Sequence, residues 1–260
     1  MSMSKKITFK TSQNINLCGI LNGPRPTEAA AAIVLCHGFG TSKDSRTYLS
    51  LEEPLNAAGI STFRFDFFGH GESEGRFAEI TVSEAVRDAL AAIEYVRETG
   101  YQRIGLVGSS FGGLAAILTA AQVSDLCLLA LKSPVSDYMS RLFVDRDGHD
   151  LQKWRDQGFI QIPDGEGNTA RLNYSFYEDA DKISGYTIAD KISAPTLIVH
   201  GDQDESVPVE QSVKLASLIP DCRLEILKGA DHRYSFDPDF AEMLRHIRDF
   251  CVELCPLTDC

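Results

Sequence analysis

Ile104-Gly105-Leu106-Val107-Gly108-Ser109-Ser110-Phe111-Gly112-Gly113-Leu114 joins an apolar run to a helix-forming one through a Gly-x-Ser-x-Gly turn. Residues 104–107 read as a strand and 114–121 as a helix, so the chain must reverse sharply between them. Ser110 alone has glycine both two positions before and two positions after it. Neighbours without Cβ atoms let the strand and the helix pack close while the serine sits in a strained turn with its hydroxyl exposed. The Phe111 amide then points, from the start of the helix, at any carbonyl that approaches Ser110.

Outward from this turn the same alternation repeats. Residues 32–36, 62–66, 103–108, 126–132, 196–200 and 223–227 are nearly continuous apolar runs, as expected of strands covered by helices on both faces. Residues 7–9 and 15–20 alternate instead and predict an antiparallel edge hairpin. Thr81-Val82-Ser83-Glu84 is a capping box, and Val82, Val86, Ala89, Ile93 and Val96 form the apolar stripe of the helix it opens. Helical patterns at 112–122, 209–218 and 238–254 complete the set. The prediction is an α/β protein with a mostly parallel central sheet and helices on both faces. Residues 136–191 break the rhythm and hold Trp154, Tyr174, Phe176 and Tyr177. A long aromatic segment between two core strands reads as a small inserted cap, which leaves 1–135 and 192–260 as the core domain. Gly148, Gly158, Gly165, Gly167 and Gly185 are its expected flexing points.

Charge and cysteine usage narrow the partners. With 25 basic and 37 acidic residues the 260-residue chain carries a net charge of −12, which repels nucleic acid and anionic lipid. Its 7 cysteines are odd in number and show neither a CxxC pair nor a His-linked zinc spacing, so they are expected as reduced thiols. The opening Met-Ser-Met-Ser-Lys-Lys leads straight into an alternating pattern, and no apolar run reaches membrane length. The expected setting is the cytoplasm, with no membrane partner. Neither G-x-G-x-x-G nor G-x-x-x-x-G-K-[ST] occurs, so no dinucleotide or nucleoside triphosphate cofactor is implied.

A serine alcohol needs a histidine base and an acid that orients it. Gly229-Ala230-Asp231-His232 follows the last core strand and puts His232 at the carboxyl edge of the sheet, where open α/β folds bind ligands. Three carboxylates, Asp202, Asp204 and Glu205, follow the preceding strand. Asp202, directly after Gly201, is suited to bonding its own loop, so Asp204 at the apex is assigned as the acid. A second oxyanion amide is expected from Phe39 in Leu35-Cys36-His37-Gly38-Phe39-Gly40, with His37 organising that loop. Asp66, His70 and Glu72 lack a ligand spacing and read as a structural turn, so no metal is expected.

With the His-Gly loop, Gly69-His70-Gly71-Glu72-Ser73, the Ser110 turn, His200-Gly201-Asp202-Gln203-Asp204-Glu205-Ser206-Val207-Pro208 and Gly229-Ala230-Asp231-His232 in this order, the chain resembles the α/β-hydrolase superfamily. Within it the chain is similar to small intracellular carboxylesterases that include bacterial feruloyl and cinnamoyl esterases. The resemblance implies the triad Ser110, Asp204 and His232, with oxyanion amides from Phe39 and Phe111. It also implies a cap tyrosine, Tyr177, that holds the phenolic end of a substrate; Trp154 and Tyr138 are further expected walls. The expected activity is hydrolysis of carboxylic esters with small or aromatic acyl groups through an acyl-enzyme. The partner is then a small-molecule ester, and a homodimer is left open. Three rivals share the fold. An aminopeptidase or amidase would need a pocket carboxylate such as Asp137, Glu178 or Asp179; the others are a thioesterase and a non-catalytic ligand-binding protein.

Overall fold

Apolar runs that bury both faces must find their hydrogen-bond partners in one another. In the computed structural model, which describes residues 3–26, 30–138, 151–163 and 169–255, they do so in one large sheet. Its first strands are β1 (Met3–Lys10), β2 (Asn16–Gly23), β3 (Ala31–Cys36), β4 (Ser61–Phe65), β5 (Arg103–Ser109) and β6 (Leu128–Lys132). A separate antiparallel pair follows, β7 (Phe159–Pro163) and β8 (Thr169–Asn173). The strands β9 (Thr196–Gly201) and β10 (Cys222–Leu227) then complete an eight-stranded sheet of order β1-β2-β4-β3-β5-β6-β9-β10. The β1–β2 and β2–β4 pairs are antiparallel, and all the others are parallel.

The helices are α1 (Arg46–Ala57), α2 (Val82–Glu98), α3 (Phe111–Ala120), α4 (Leu151–Gln157), α5 (Ser175–Ala180), α6 (Val209–Ala216) and α7 (Asp237–Leu254). Strand β3 shows how they divide. Ala32, Val34 and Cys36 pack with residues of α2 and α3 on one face, whereas Ala31, Ile33 and Leu35 pack with Tyr48, Leu51 and Leu55 of α1 and Met243 and Ile247 of α7 on the other. Both faces of a central strand are dry because successive side chains point to opposite sides of the sheet.

Several expectations are corrected. Helix α1 is absent from the sequence reading because Pro54 lies inside it, although Tyr48, Leu51 and Leu55 supply a buried stripe strong enough to carry the helix past the missing donor. Strand β10 is not covered on both faces: it is an edge strand in which Arg223 and Glu225 alternate with partly covered residues and Ile226 is 47% exposed. The stretch without clean alternation contains the β7–β8 hairpin flanked by α4 and α5. Only half of the capping box forms. Thr81 Oγ1 accepts from the Glu84 amide at 3.0 Å, but the Glu84 carboxylate pairs with Arg87. Gly158, with φ +74° and open space around it, joins α4 to β7, while Gly185 donates to Ser136 O at 2.8 Å and is tightly packed there. Gly148, Gly165, Gly167 and Cys260 lie outside the described residues.

One buried ion cluster locks the loops after β3 and β4 together. Asp66 accepts from the Lys43 amide at 2.7 Å, from Lys43 Nζ at 2.8 Å and from the Glu72 amide at 2.9 Å, and its side chain is fully buried. Cys18, Asp66 and Glu72 approach closely enough to hold a cation, and the Lys43 ammonium, 2.8 Å from each carboxylate, supplies that charge. Removing one partner of such a pair leaves an uncompensated buried charge. Asp66→Asn is expected to lower the unfolding free energy by about 3–5 kcal/mol in urea titrations; a loss under about 1 kcal/mol would show that the loops hold without the pair.

Candidate active site

The turn between β5 and α3 takes the conformation that its glycines permit. Ser110 has φ 53° and ψ −115°, in the region L-residues rarely adopt. A Cβ on Gly112 would lie 2.1 Å from Cys36 O, and one on Gly108 would lie 2.6 Å from Gly112 O. The Ser110 amide donates to Lys132 O at 3.1 Å, and Ser110 O accepts from the amides of Gly113 at 2.9 Å and Val135 at 3.1 Å. The strained backbone is thereby held from three sides while the hydroxyl makes no hydrogen bond to any described residue.

All three carboxylates after β9 reach the loop that carries His232, by different routes. Asp202 accepts from the Gly229 amide at 2.6 Å, and so bonds the neighbouring loop as well as its own turn. Glu205 accepts from the His232 backbone amide at 3.2 Å. Asp204 alone reaches the ring, with Oδ2 2.6 Å from Nδ1. Asp204 Oδ1 accepts from the amides of Ser206 and Val207, both at 2.7 Å. Burial would push the Asp204 carboxyl up, but the bonds from His200 and His232 hold it well below the usual carboxylate range. His232 is lowered from its ordinary value, first by burial and also by the Lys132 ammonium, while Asp204 opposes the shift.

The fourth donor to Asp204 is a residue the sequence reading passed over. His200 is fully buried, with Nε2 3.0 Å from Asp204 Oδ2 and 3.0 Å from Val207 O, and Nδ1 2.6 Å from Ser212 Oγ. Two acceptors at Nε2 require the proton there, and the Ser212 hydroxyl then donates to Nδ1. A histidine at the end of the strand, four residues before an apex aspartate, was the available signal.

The loop after β3 lies against Ser110: a Cβ on Gly38 would be 3.6 Å from Ser110 Cβ. Gly38 O accepts from His37 Nδ1 at 2.8 Å and from Thr41 Oγ1 at 2.9 Å, while His37 Nε2 accepts from the Phe67 amide at 3.1 Å. In a trans peptide the Phe39 N–H points opposite to the Gly38 carbonyl, so these bonds aim it. Neither the Phe39 nor the Phe111 N–H donates to a described residue. Burial pushes the His37 ring well below its ordinary value, so it stays neutral in this role.

Ser109, Ser110, His232, Gly38, Phe39 and Lys132 line one cleft of about 280 Å³. A larger hollow of about 970 Å³, between the β1–β2 turn and α2, contains none of the expected site residues. The segment between β6 and β9 meets the site through Phe176, an aromatic that the sequence reading did not place among the substrate walls. The fully buried Phe176 ring packs on Phe39 at 5.8 Å, Phe111 at 6.3 Å and Tyr138 at 5.3 Å. Tyr138, Trp154 and Tyr177 do not line the Ser110 cleft. Trp154 is 1% exposed, donates to Leu172 O at 3.2 Å and packs on Tyr174 and Tyr177, so it belongs to the interior of this segment. Tyr177 stacks on Tyr174 at 5.4 Å. Nor does a substrate-amine carboxylate face the cleft: Asp179 is bonded to Ser83, Asp137 to Ser184, and Glu178 is exposed.

A parallel-dominated sheet with a strained serine turn after β5 and a histidine loop after β10 defines an α/β hydrolase. The Alpha/beta hydrolase family profile matches residues 33–242, and the chain belongs to that family and is a hydrolase. Mouse mitochondrial palmitoyl-protein thioesterase ABHD10 is 27% identical over 237 residues, covering 85% of this chain and 75% of that protein. The solved structure of mouse alpha/beta hydrolase domain-containing protein 10 superposes with a TM-score of 0.79 at 25% identity, covering 96% of this chain and 99% of the other. Est1E from Butyrivibrio proteoclasticus with bound ferulic acid superposes at 0.83 with 26% identity, covering 95% and 98%. Among the described residues no helix is long and apolar enough to cross a membrane.

Replacing His200 by Phe removes one of four donors from Asp204 and is expected to lower kcat about ten-fold with little change in KM. His200→Gln, whose side-chain amide can donate, should recover part of the loss. Equal kcat in a folded His200→Phe protein would show that His232 and the two amides suffice.

Proposed function

We propose that this hydrolase is a serine carboxylesterase that cleaves esters of small or aromatic acyl groups through an acyl-enzyme. The observation that carries the reading is the 2.6 Å contact between Asp204 and the ring of His232, in a cleft that His232 shares with Ser110. His232 takes the hydroxyl proton of Ser110 as the oxygen attacks the ester carbonyl, and Asp204 steadies the imidazolium that forms. The carbonyl oxygen gathers charge between the Phe39 and Phe111 amides. His232 then protonates the departing alcohol, and water repeats the sequence on the acyl-enzyme.

In this reading residues 136–191 cap the acyl side of a catalytic domain formed by 1–135 and 192–260; the packing of Phe176 against Phe39 and Phe111 supports it. The free cysteines support a reducing, cytoplasmic setting. Est1E, with ferulic acid bound, favours an aromatic acyl group. A second reading, thioester cleavage by the same machinery, is favoured by the thioesterase activity in the name of ABHD10.

Ser110→Ala and His232→Ala are each expected to lower kcat by at least about 10⁴-fold on p-nitrophenyl butyrate and methyl ferulate, with Asp204→Ala leaving more. Ester turnover that survives in Ser110→Ala would overturn the mechanism. Comparing S-ethyl thiobutyrate with ethyl butyrate separates the two readings.

The base works only when His232 is neutral, and burial lowers its pKa below 6.5. Turnover is therefore retained at pH 6.5 and falls as the pH drops through the lowered value. A kcat/KM profile with its acid midpoint above 6.5 would contradict the assignment of His232 as the buried base.

A further inference from the structure

The cleft beside Ser110 has a charge opposite to that of the chain. In a protein with 37 acidic and 25 basic residues, the described residues that line it include Arg46, Lys132 and Arg233 and no Asp or Glu. Lys132 is the least expected of the three. It stands at the end of β6, buried to 6% exposure, with Nζ donating to His232 O at 2.6 Å and lying 5.0 Å from the centre of the Tyr234 ring. Arg46, at the start of α1, lies over the Phe240 ring at 3.8 Å and donates to Asp237 at 2.7 Å, which holds its guanidinium at the cleft. Arg233 follows His232 directly, is exposed and has no carboxylate partner among the described residues. Burial and the nearby Arg233 disfavour the charged lysine while Asp204, Asp231 and Glu205 favour it, so an anion received in the cleft would add to their effect.

Which half of a substrate meets these cations follows from the proton path. The group that protonates the leaving atom must lie within hydrogen-bond reach of it, so the leaving group sits beside His232. Phe39, which lines the same cleft, packs edge-on against Phe77, Phe111 and Phe176, an apolar cluster suited to the acyl half. We propose that the cationic cleft is the leaving-group subsite and that the protein acts on esters or thioesters whose alcohol or thiol carries an anionic group, a carboxylate or a phosphate. The proposal rests on the serine-hydrolase reading, which names His232 as the acid that releases the leaving group. Arg46 and Arg233 bind the anion directly, and Lys132 supplies a fixed positive field beneath the His232 loop.

Two matched pairs of substrates test it. The first is 3-carboxyphenyl butyrate against its methyl ester, and the second is S-butyryl-4′-phosphopantetheine against S-butyryl-pantetheine. Within each pair the acyl group is the same and only the remote charge differs. We expect kcat/KM to favour the anionic member of at least one pair by about ten-fold, and the pair that responds identifies the anion. The preference should fall at least about five-fold in Arg233→Ala and in Arg46→Ala. It should also shrink as salt rises from about 0.02 M to about 0.5 M. A wild-type ratio near one in both pairs, with the neutral substrates turned over, would overturn the subsite and leave the hydrolase mechanism standing; so would a preference unchanged in both variants. Failure to turn over any of the four would count against the mechanism. Calorimetry of the products with Ser110→Ala then decides the subsite independently. Tighter binding of 3-hydroxybenzoate than of its methyl ester, reduced by Arg233→Ala, sustains the proposal, and equal or absent binding of the two ends it.

Discussion

Everything at the site depends on holding Ser110 in a backbone conformation that it would not adopt alone. A left-handed φ at a residue with a Cβ costs on the order of 1–3 kcal/mol and persists only where the surroundings over-determine it. Here the surroundings are Gly108 and Gly112, which let α3 press against the end of β3, and backbone bonds to Lys132, Gly113 and Val135. Ser133 and Tyr234, also non-glycine residues with positive φ, meet each other through a 3.2 Å contact between their hydroxyls at the same edge of the sheet. Three of the four non-glycine residues with positive φ among the described residues thus follow β5, β6 and β10 around the cleft, and the fourth, Asn14, turns β1 into β2.

The two loops beside the serine are rigid for a different reason, namely buried polar bonds. His37 bridges the loop after β3 to the Phe67 amide, and Lys43 with Asp66 ties the same two loops a few residues further on. Because Gly38 O is anchored by His37 and Thr41, the Phe39 amide is aimed before any substrate arrives. Preorganised donors need no rearrangement when charge develops, which is the main electrostatic advantage of such a site. A mobile loop in the same place would have to be ordered at each turnover.

Electrostatics at the opposite wall are less symmetrical. Asp204 collects four donors and is held ionised, and the His232 ring it faces also feels Lys132, which burial pushes down to about 8. The ammonium and the carboxylate pull the imidazole in opposite directions, and burial tips the balance toward the neutral ring.

Much of this was legible in the residues. The Ser110 turn, the His-Gly loop and the His232 loop were each recognisable, because glycine spacing and position after an apolar run are local properties that the chain order carries directly. So was the parallel sheet, whose strands must be apolar on both faces. What escaped was non-local. Helix α1 was hidden by Pro54, whose local cost is outweighed by the burial of Tyr48, Leu51 and Leu55 against β3 and α7. Asp204 was assigned from its place at the loop apex, and the fold brings its Oδ2 to the imidazole; that Asp202 and Glu205 meet backbone amides of the same loop was not legible. Trp154 and Phe176 are both aromatic residues of one segment, yet the first lies inside it and the second packs on Phe39 in the loop after β3. His200, Lys132, Arg46 and Arg233 come from four separate regions of the chain and converge at one edge of the sheet. Local patterns set the type of chemistry, because backbone conformation and strand burial are written over a few neighbouring residues. Which charges surround the serine depended on long-range packing, because side chains far apart in the chain become neighbours only when the sheet is assembled.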